Sequence, residues 1–351
     1  ISLKANRKYS ENYSENFIII DNEYNALAPN SFGNFEISTI LIGTSFSKSN
    51  ENISDTFDDF QNNRLVIAKR LAALNGDVTG DVDEFGFPIG FGKNNQSVLI
   101  PAFVSAYSGK SPESISLNAI SKTPLPSWSI SYSGLMNFDF IKERFKRFSL
   151  GHAYRSSYTL NNFKSNLEYN PDHTQLTDDS GNFINEFLYT NVNLVEQFNP
   201  FLKVDMELNN SLQIVMSLKK DRALSLSLDN NLLTESSGTD YSIGLGYRIK
   251  DLKFTNRVNG KRRVSKGDLN IKTDLNFRDN ITIIRNLNIL DNKVTAGQNM
   301  WSLKTSADYN LSKSFNAIFF YDHLFSKFAI STAFPMTTIR AGMTLRYSFG
   351  E

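Results

Sequence analysis

The chain has 351 residues, near-balanced charge (Lys+Arg 37 against Asp+Glu 36, formal net +1) and no cysteine. That balance gives no field strong enough to draw nucleic acid, and the missing cysteine excludes disulfide staples and thiolate metal sites. Mean hydropathy is −0.32 and no apolar run is long enough for a membrane helix, but that test is blind to β-barrels, whose strands average an apolar face with a polar one.

The chain opens on Ile1 with no signal peptide ahead of it, which reads as a mature or clipped piece of something longer. Residues 1–46 read as barrel strands. Residues 47–126 break the pattern: they have no sustained two-residue period, and a stretch that long is functional or separately folded. Within them Phe57, Phe60, Leu65, Leu71 and Leu74 recur at helical spacing, with Ser54 as N-cap and Asn75-Gly76 as the stop. Counting crossings back from the C-terminus puts this partly helical insertion on the periplasmic side of a barrel or folded into its lumen. "NGDVTGDVDEFG" offers a weak calcium loop through Asp77, Asp81 and Asp83, but Gly86 stands where a bidentate Glu belongs, and a solvated acidic turn is the simpler account.

From residue 127 to 351 a period of two dominates, the signature of strands whose side chains alternate between faces. Phe148, Leu150, Tyr154 and Tyr158 share one side of "FSLGHAYRSSY". Val204, Met206 and Leu208 follow, then Leu224, Leu226 and Leu228. Tyr241, Ile243, Leu245, Tyr247 and Ile249 continue the pattern, as do Leu269, Ile271, Leu275 and Phe277, and Trp301, Leu303, Ala307 and Tyr309. The closing "TTIRAGMTLRYSFGE" sets Ile339, Ala341, Met343, Leu345, Tyr347 and Phe349 against Thr338, Arg340, Gly342, Thr344, Arg346 and Ser348. About sixteen such strands fit the chain, each near the length a tilted strand needs to cross a bilayer.

Tight turns are expected at Lys219-Lys220-Asp221, Lys250-Asp251, Arg278-Asp279-Asn280 and Ser312-Lys313-Ser314. Longer polar connections are expected at 230–238, 258–266, 288–298 and 323–336. Alternating short and long connections, with aromatic residues crowding one parity, predict an all-β antiparallel transmembrane barrel rather than a sandwich or propeller.

The polar parity mixes both signs: Asp205, Glu207, Lys219, Arg248, Lys272, Asp274, Lys304, Asp308, Arg340 and Arg346. Such a lumen face is wide and wet, without simple ion selectivity. His152, His173 and His323 have no metal-ligand spacing, and His152 falls on the aromatic parity as an interfacial side chain. There is no nucleophile motif and no phosphate loop, so neither an enzyme nor a cofactor is expected. Gly244 and Gly246 sit inside a strand and mark a bend or close packing. "KRRVSK", 261–266, suits lipopolysaccharide contact or solvation in a hairpin loop.

Several stretches in order resemble one family. "VLIPAFVSAYSGKSP" (98–112), "PLPSWSISYSGL" (124–135), "SLGHAYRSSYTL" (149–160), "TIIRNLNI" (282–289), "TAGQNMWSLKTSADYNLS" (295–312), "FYDH" (320–323) and the closing "TTIRAGMTLRYSF" are similar to the C-terminal region of the SprA (Sov) proteins. These are outer-membrane translocons of the type IX secretion system of Bacteroidota. The resemblance implies an arc of a single very large barrel that exports folded cargo and supports gliding motility and adhesin display. It implies as partners a PorV-like shuttle barrel, a periplasmic plug protein and the secreted cargo itself. An outer-membrane location adds the lipid bilayer with its lipopolysaccharide, and the barrel-assembly machinery, which would read Tyr347 and Phe349 as the terminal aromatic signal. The other expectations from the pattern are a self-contained porin-like or nutrient-uptake barrel, and a structural barrel anchoring a surface adhesin.

Overall fold

A computed structural model describes residues 1–26, 30–76, 80–258, 261–289, 291–310, 315–330 and 332–349, the side chains of 254, 256–258, 261–263 and 265 excepted. The architecture is all-β and antiparallel. β1 (Ser2–Lys4), β2 (Arg7–Ser14), β3 (Phe17–Ile20), β4 (Glu23–Ala26) and β5 (Asn30–Ser38) precede two helices, α1 (Asp55–Leu74) and α2 (Gln96–Ser108). β6 (Ser127–Tyr132), β7 (Phe145–Ser165), β8 (Phe187–Leu188), β9 (Asn191–Leu208) and β10 (Leu212–Ser227) follow. β11 (Leu232–Val258), β12 (Lys261–Asn286), β13 (Asn292–Asn310), β14 (Phe315–Phe328) and β15 (Met336–Tyr347) complete the chain.

Thirteen strands form one sheet in the order β1-β6-β7-β9-β10-β11-β12-β13-β14-β15, with β2, β5 and β8 attached beside β7; β3 and β4 form a separate hairpin. The main sheet is a meander from β9 onward, each strand pairing the next. It does not close: among the described residues β15 pairs only β14, and β1 and β2 pair only β6 and β5. In place of the expected closed barrel, the described residues form an open antiparallel sheet.

Three of the four expected turns lie inside strands. Lys219-Lys220-Asp221 falls within β10, Lys250-Asp251 at a register shift within β11, and Arg278-Asp279-Asn280 within β12. The register explains the error. Lys219 pairs Asp240 and Asp240 pairs Arg278, while Lys220 pairs Thr239, which pairs Asp279. Asp279 pairs Asn299, which pairs Lys327. Here both faces of the sheet turn polar at one level, and a polar belt crossing adjacent strands has the local composition of a turn. Many of the strands are consequently longer than expected, β11 and β12 reaching 27 and 26 residues, and most of 230–238, 258–266 and 288–298 is strand. The fourth turn, 312–314, lies outside the described residues.

The helices enter through an interruption in a strand. β5 and β6 are collinear against β7, with Ser38 opposite Ser157 and Trp128 opposite Tyr154. The chain leaves the sheet after Ser38 and re-enters at Ser127, and the two ends are tied where Leu125 N donates to Ser38 O (2.9 Å) and Ser38 Oγ donates to Leu125 O (2.7 Å). The insertion thus runs from 39 rather than 47, and 39–46, expected as strand, includes a turn of 3₁₀ helix at Ile42–Thr44.

α1 matches the expected helix: the Ser54 side chain accepts from Phe57 N, acidic Asp55 and Asp58 occupy the positive first turn, and Asn75 caps the end. α2 carries Pro101 and is buried along most of its length, with Val98, Leu99, Ala102 and Phe103 at 0% exposure. A helix apolar on every side has no amphipathic period to announce it.

Candidate functional site

The sheet has two distinct faces, and strand pairing defines each by register. On one face Leu150, Val204, Met216, Ile243, Leu275, Leu303, His323 and Ile339 form a row across eight strands. Parallel rows add Tyr247, Ile271, Ala307, Phe319 and Met343, then Ile249, Leu269, Tyr309, Ala317 and Leu345. Among the described residues no helix packs over this band, although Tyr309 and Ala317 within it are buried. Ile243 is 41% exposed, Phe319 50% and Ile339 58%. Monomeric soluble proteins do not carry apolar surface of this extent without a purpose.

Aromatic residues bound the band at both levels. At one border the pairs Tyr241–Phe277–Trp301–Phe325 run across four strands, and His152 extends the line among Trp128, Phe198 and Phe201. At the other, Tyr309, Phe315 and Tyr347 stand near the strand ends, with the Phe315 and Tyr347 rings 6.4 Å apart. Phe349, 92% exposed, lies against Tyr347 with ring centroids 4.8 Å apart.

The opposite face holds the residues expected to line a lumen. Asp205, Glu207, Lys219, Arg248, Lys272, Asp274, Lys304, Asp308, Arg340 and Arg346 all fall on this single face. Its central row reads Asp205, Val215, Gly244, Asp274, Lys304, Asp322, Arg340, so charge alternates in sign over its last four strands. Arg340 reaches Asp322 at 3.0 Å, Arg147 reaches Asp205 at 2.9 Å and Arg278 reaches Asp240 at 3.4 Å. Gly244 belongs to the close-packed alternative: a Cβ there would lie 2.9 Å from the Asp274 carboxylate.

The helical insertion packs on the apolar parity, beyond the Tyr241–Trp301 border. Counting crossings from the C-terminus predicts a place for it in the lumen or at the end where the final strand exits. It lies instead on the other face and at the other end, near the β10–β11 and β12–β13 connections, because each polar belt taken for a turn flips the inferred end of the strands before it. Its core joins Phe57, Phe60, Phe103 and Tyr107 of the helices to Tyr158, Leu160, Val192, Leu194, Leu224, Leu226 and Leu233 of the sheet.

Two buried ion pairs fasten it, and sequence alternation alone gave no hint of them. Arg222 donates to Glu196 at 3.1 Å and to Thr44 O at 2.9 Å, while Tyr154 and Ser45 both donate to the same carboxylate. Arg285, 0% exposed, donates to Glu235 at 3.2 Å and to Ser49 Oγ and Asn50 O. Both arginines also lie over rings, Arg222 over Tyr107 and Arg285 over Phe57. Burial raises the Tyr107 phenol far above its ordinary range, so it stays neutral.

The remaining candidates do not assemble. Asp77 lies outside the described residues. Asp83 Oδ1 accepts from the Phe85 and Phe87 amides, an Asx turn that closes the loop on itself. Among the described residues no three His, Asp or Glu side chains could share a metal. His323 lies against Trp301 with the rings tilted (centroids 4.5 Å apart) and His173 sits in the 166–186 loop, so the histidines share no site. In "KRRVSK", Val264 is 56% exposed beside the β11–β12 hairpin tip; the Lys261, Arg262 and Arg263 side chains lie outside the described set.

No protein-family model matches the chain, and no curated protein matches it in sequence.

Proposed function

We propose that the chain is a section of wall in a transmembrane β-barrel, one face toward lipid and the other toward a wide aqueous lumen. One observation carries this: an uncovered apolar band lies between two aromatic borders, and it backs onto a charge-alternating polar face. From Tyr241 to Ile249 the band runs about 27 Å along the strand, or about 20 Å vertically at a common barrel tilt, close to the apolar height of outer-membrane barrels.

The free edge refines the reading. Unpaired backbone groups along β15 would each cost several kcal/mol in hydrocarbon. In lipid, β15 must therefore pair another strand, and the open sheet becomes an arc. A self-contained porin-like barrel would instead require β15 to reach β1 and β2. With the resemblance to the SprA (Sov) proteins, the arc reading supports a protein-conducting translocon of type IX secretion in the outer membrane. Its mixed, locally neutralised lumen face would hold no charged cargo. The shuttle barrel, plug and cargo are the partners of that reading.

The absence of cysteine makes the faces directly testable. Single cysteines at Leu275 and Ile243 should resist a membrane-impermeant maleimide in lipid vesicles, and those at Asp274 and Lys304 should react. Equal reactivity on both faces would reject a lipid-facing band. Separately, an antibody to the insertion should detect a native polypeptide much larger than the 39.7 kDa of this chain; a species of that mass would reject the arc.

A further inference from the structure

A cavity of about 490 Å³ opens between α2, the edge strand β2 and the 185–189 segment. Its floor is apolar, with Ile100 and Pro101 buried on α2 and Leu117 and Phe187 beside them. Its rim carries Arg7, Lys122, Asn118 and Glu186, and the Tyr9 and Tyr189 rings form walls. The volume suits a small ligand, and apolar walls with a few oriented polar groups are the usual build of a binding site.

The rim cations have no carboxylate partner among the described residues, a condition they share with Arg64, Arg70, Arg144, Arg155 and Arg346. Arg147, Arg222, Arg248, Arg278, Arg285 and Arg340 each pair with a carboxylate. Arg7 pairs with none among the described residues: its Nε donates to Ser121 O at 3.2 Å and its guanidinium lies over Phe35, which leaves the terminal nitrogens open. Lys122 likewise meets no carboxylate there. The Gln96 amide is already committed to Phe187 O and Tyr189 N, and Asn118 Oδ1 accepts from Ile120 N, so the groups left for a ligand include two cations, the Asn118 Nδ2 donor, the Tyr189 hydroxyl and the Glu186 carboxylate. Burial, with help from Glu186, lifts the Tyr189 phenol to about 12, so it remains a hydrogen-bond donor at neutral pH.

We propose that this cleft binds an anionic saccharide. The cations take its carboxylate or phosphate, the tyrosine rings stack on sugar faces, and Asn118, Glu186 and the Tyr189 hydroxyl meet its hydroxyls. Position suggests a lipid-anchored source, and that part rests on the membrane reading above. Arg7 and Tyr9 lie level with Tyr158 and Leu160 through β5, about 20–25 Å along β7 from the border at His152. On a lipid-facing wall, that height lies in the sugar layer above the headgroups.

Calorimetric titration of the full chain tests the ligand class with three probes: trimannuronate, the neutral maltotriose and the acidic peptide triglutamate. Trimannuronate should bind at least tenfold more tightly than either of the others. Arg7→Gln with Lys122→Gln should weaken it at least tenfold, whereas Glu186→Gln, which removes a like charge, should strengthen it about threefold. Equal binding of the two sugars, tighter binding of triglutamate, or indifference to all three substitutions would overturn the proposal. Vesicles bearing lipopolysaccharide with an anionic core should compete with trimannuronate. If they do not while trimannuronate still binds, the saccharide is a soluble one and only the lipid-anchored source falls. The maleimide pattern judges the membrane reading independently.

Discussion

Leu226 and Met216 lie on the same strand and the same face, yet Leu226 is 0% exposed and Met216 is 36% exposed. Five alternations separate a position sealed under the helical insertion from one the insertion does not reach. The neighbouring strand repeats the contrast, with Leu233 at 0% and Ile243 at 41%. The alternating pattern is the same in both regions; what differs is the medium each apolar face meets. The helices cover one end of the sheet; on the proposed membrane reading, lipid would cover the other. Between them runs the polar belt of Lys219, Lys220, Thr239, Asp240, Arg278 and Asp279, where neither face is apolar.

The covered region should fail most sharply when its buried charge is unbalanced. Glu235→Ala leaves the Arg285 guanidinium, 0% exposed, without its carboxylate, and breaking such a pair costs about 3–5 kcal/mol. The insertion should then become susceptible to limited proteolysis while the strands of the uncovered band stay protected. Glu235→Gln, which keeps shape and one acceptor, should lose less. A proteolysis pattern unchanged by Glu235→Ala would show that the insertion is held by its apolar core alone.

The uncovered region should respond to charge according to face. Ile243→Arg places a cation in the middle of the band, a change worth about 2–4 kcal/mol at a bilayer midplane. Ser242→Arg, one residue away on the polar face, should fall within about 0.5 kcal/mol. Denaturant titration of folding into short-chain phosphatidylcholine vesicles measures both. If the two arginines cost the same, the faces are not in different solvents, and the contrast with the covered region loses its meaning.

The faces themselves were legible in the sequence because a period of two carries over any length of strand. Every residue assigned to the polar parity lies on one face, and α1 begins and ends at the caps its sequence offers. Strand length was not legible. Lys219-Lys220-Asp221 and Arg278-Asp279-Asn280 have turn composition because consecutive residues on both faces are polar where the strands leave the apolar band, and only cross-strand register tells a belt from a bend. α2 was missed for the opposite reason, its uniform apolarity leaving no contrast to detect. Arg222, Glu196, Arg285 and Glu235 sit on the apolar parity, so a face-by-face reading passes over them. Their partners, Thr44, Ser45, Ser49 and Asn50, arrive from a segment more than a hundred residues distant.

The smallest effect should come from the polar face, where Lys304 stands between Asp274 and Asp322, and Asp322 pairs Arg340. Exposed cross-strand pairs contribute about 0.2–1 kcal/mol each and weaken with salt. Lys304→Ala should therefore cost about that much at low ionic strength and almost nothing at high. Lys304→Asp should cost more, since it sets three carboxylates in one row with Arg340 left to offset only the last. A double-mutant cycle between Asp322 and Arg340, repeated across a salt series, isolates the pair from the rest of the row. A coupling that ignores salt would mean that this face is shielded from water, and a face so shielded could not line a wet lumen. A coupling screened over the same range as the Lys304 effect would place the whole row in solvent, opposite in kind to the Arg285–Glu235 pair buried across the sheet.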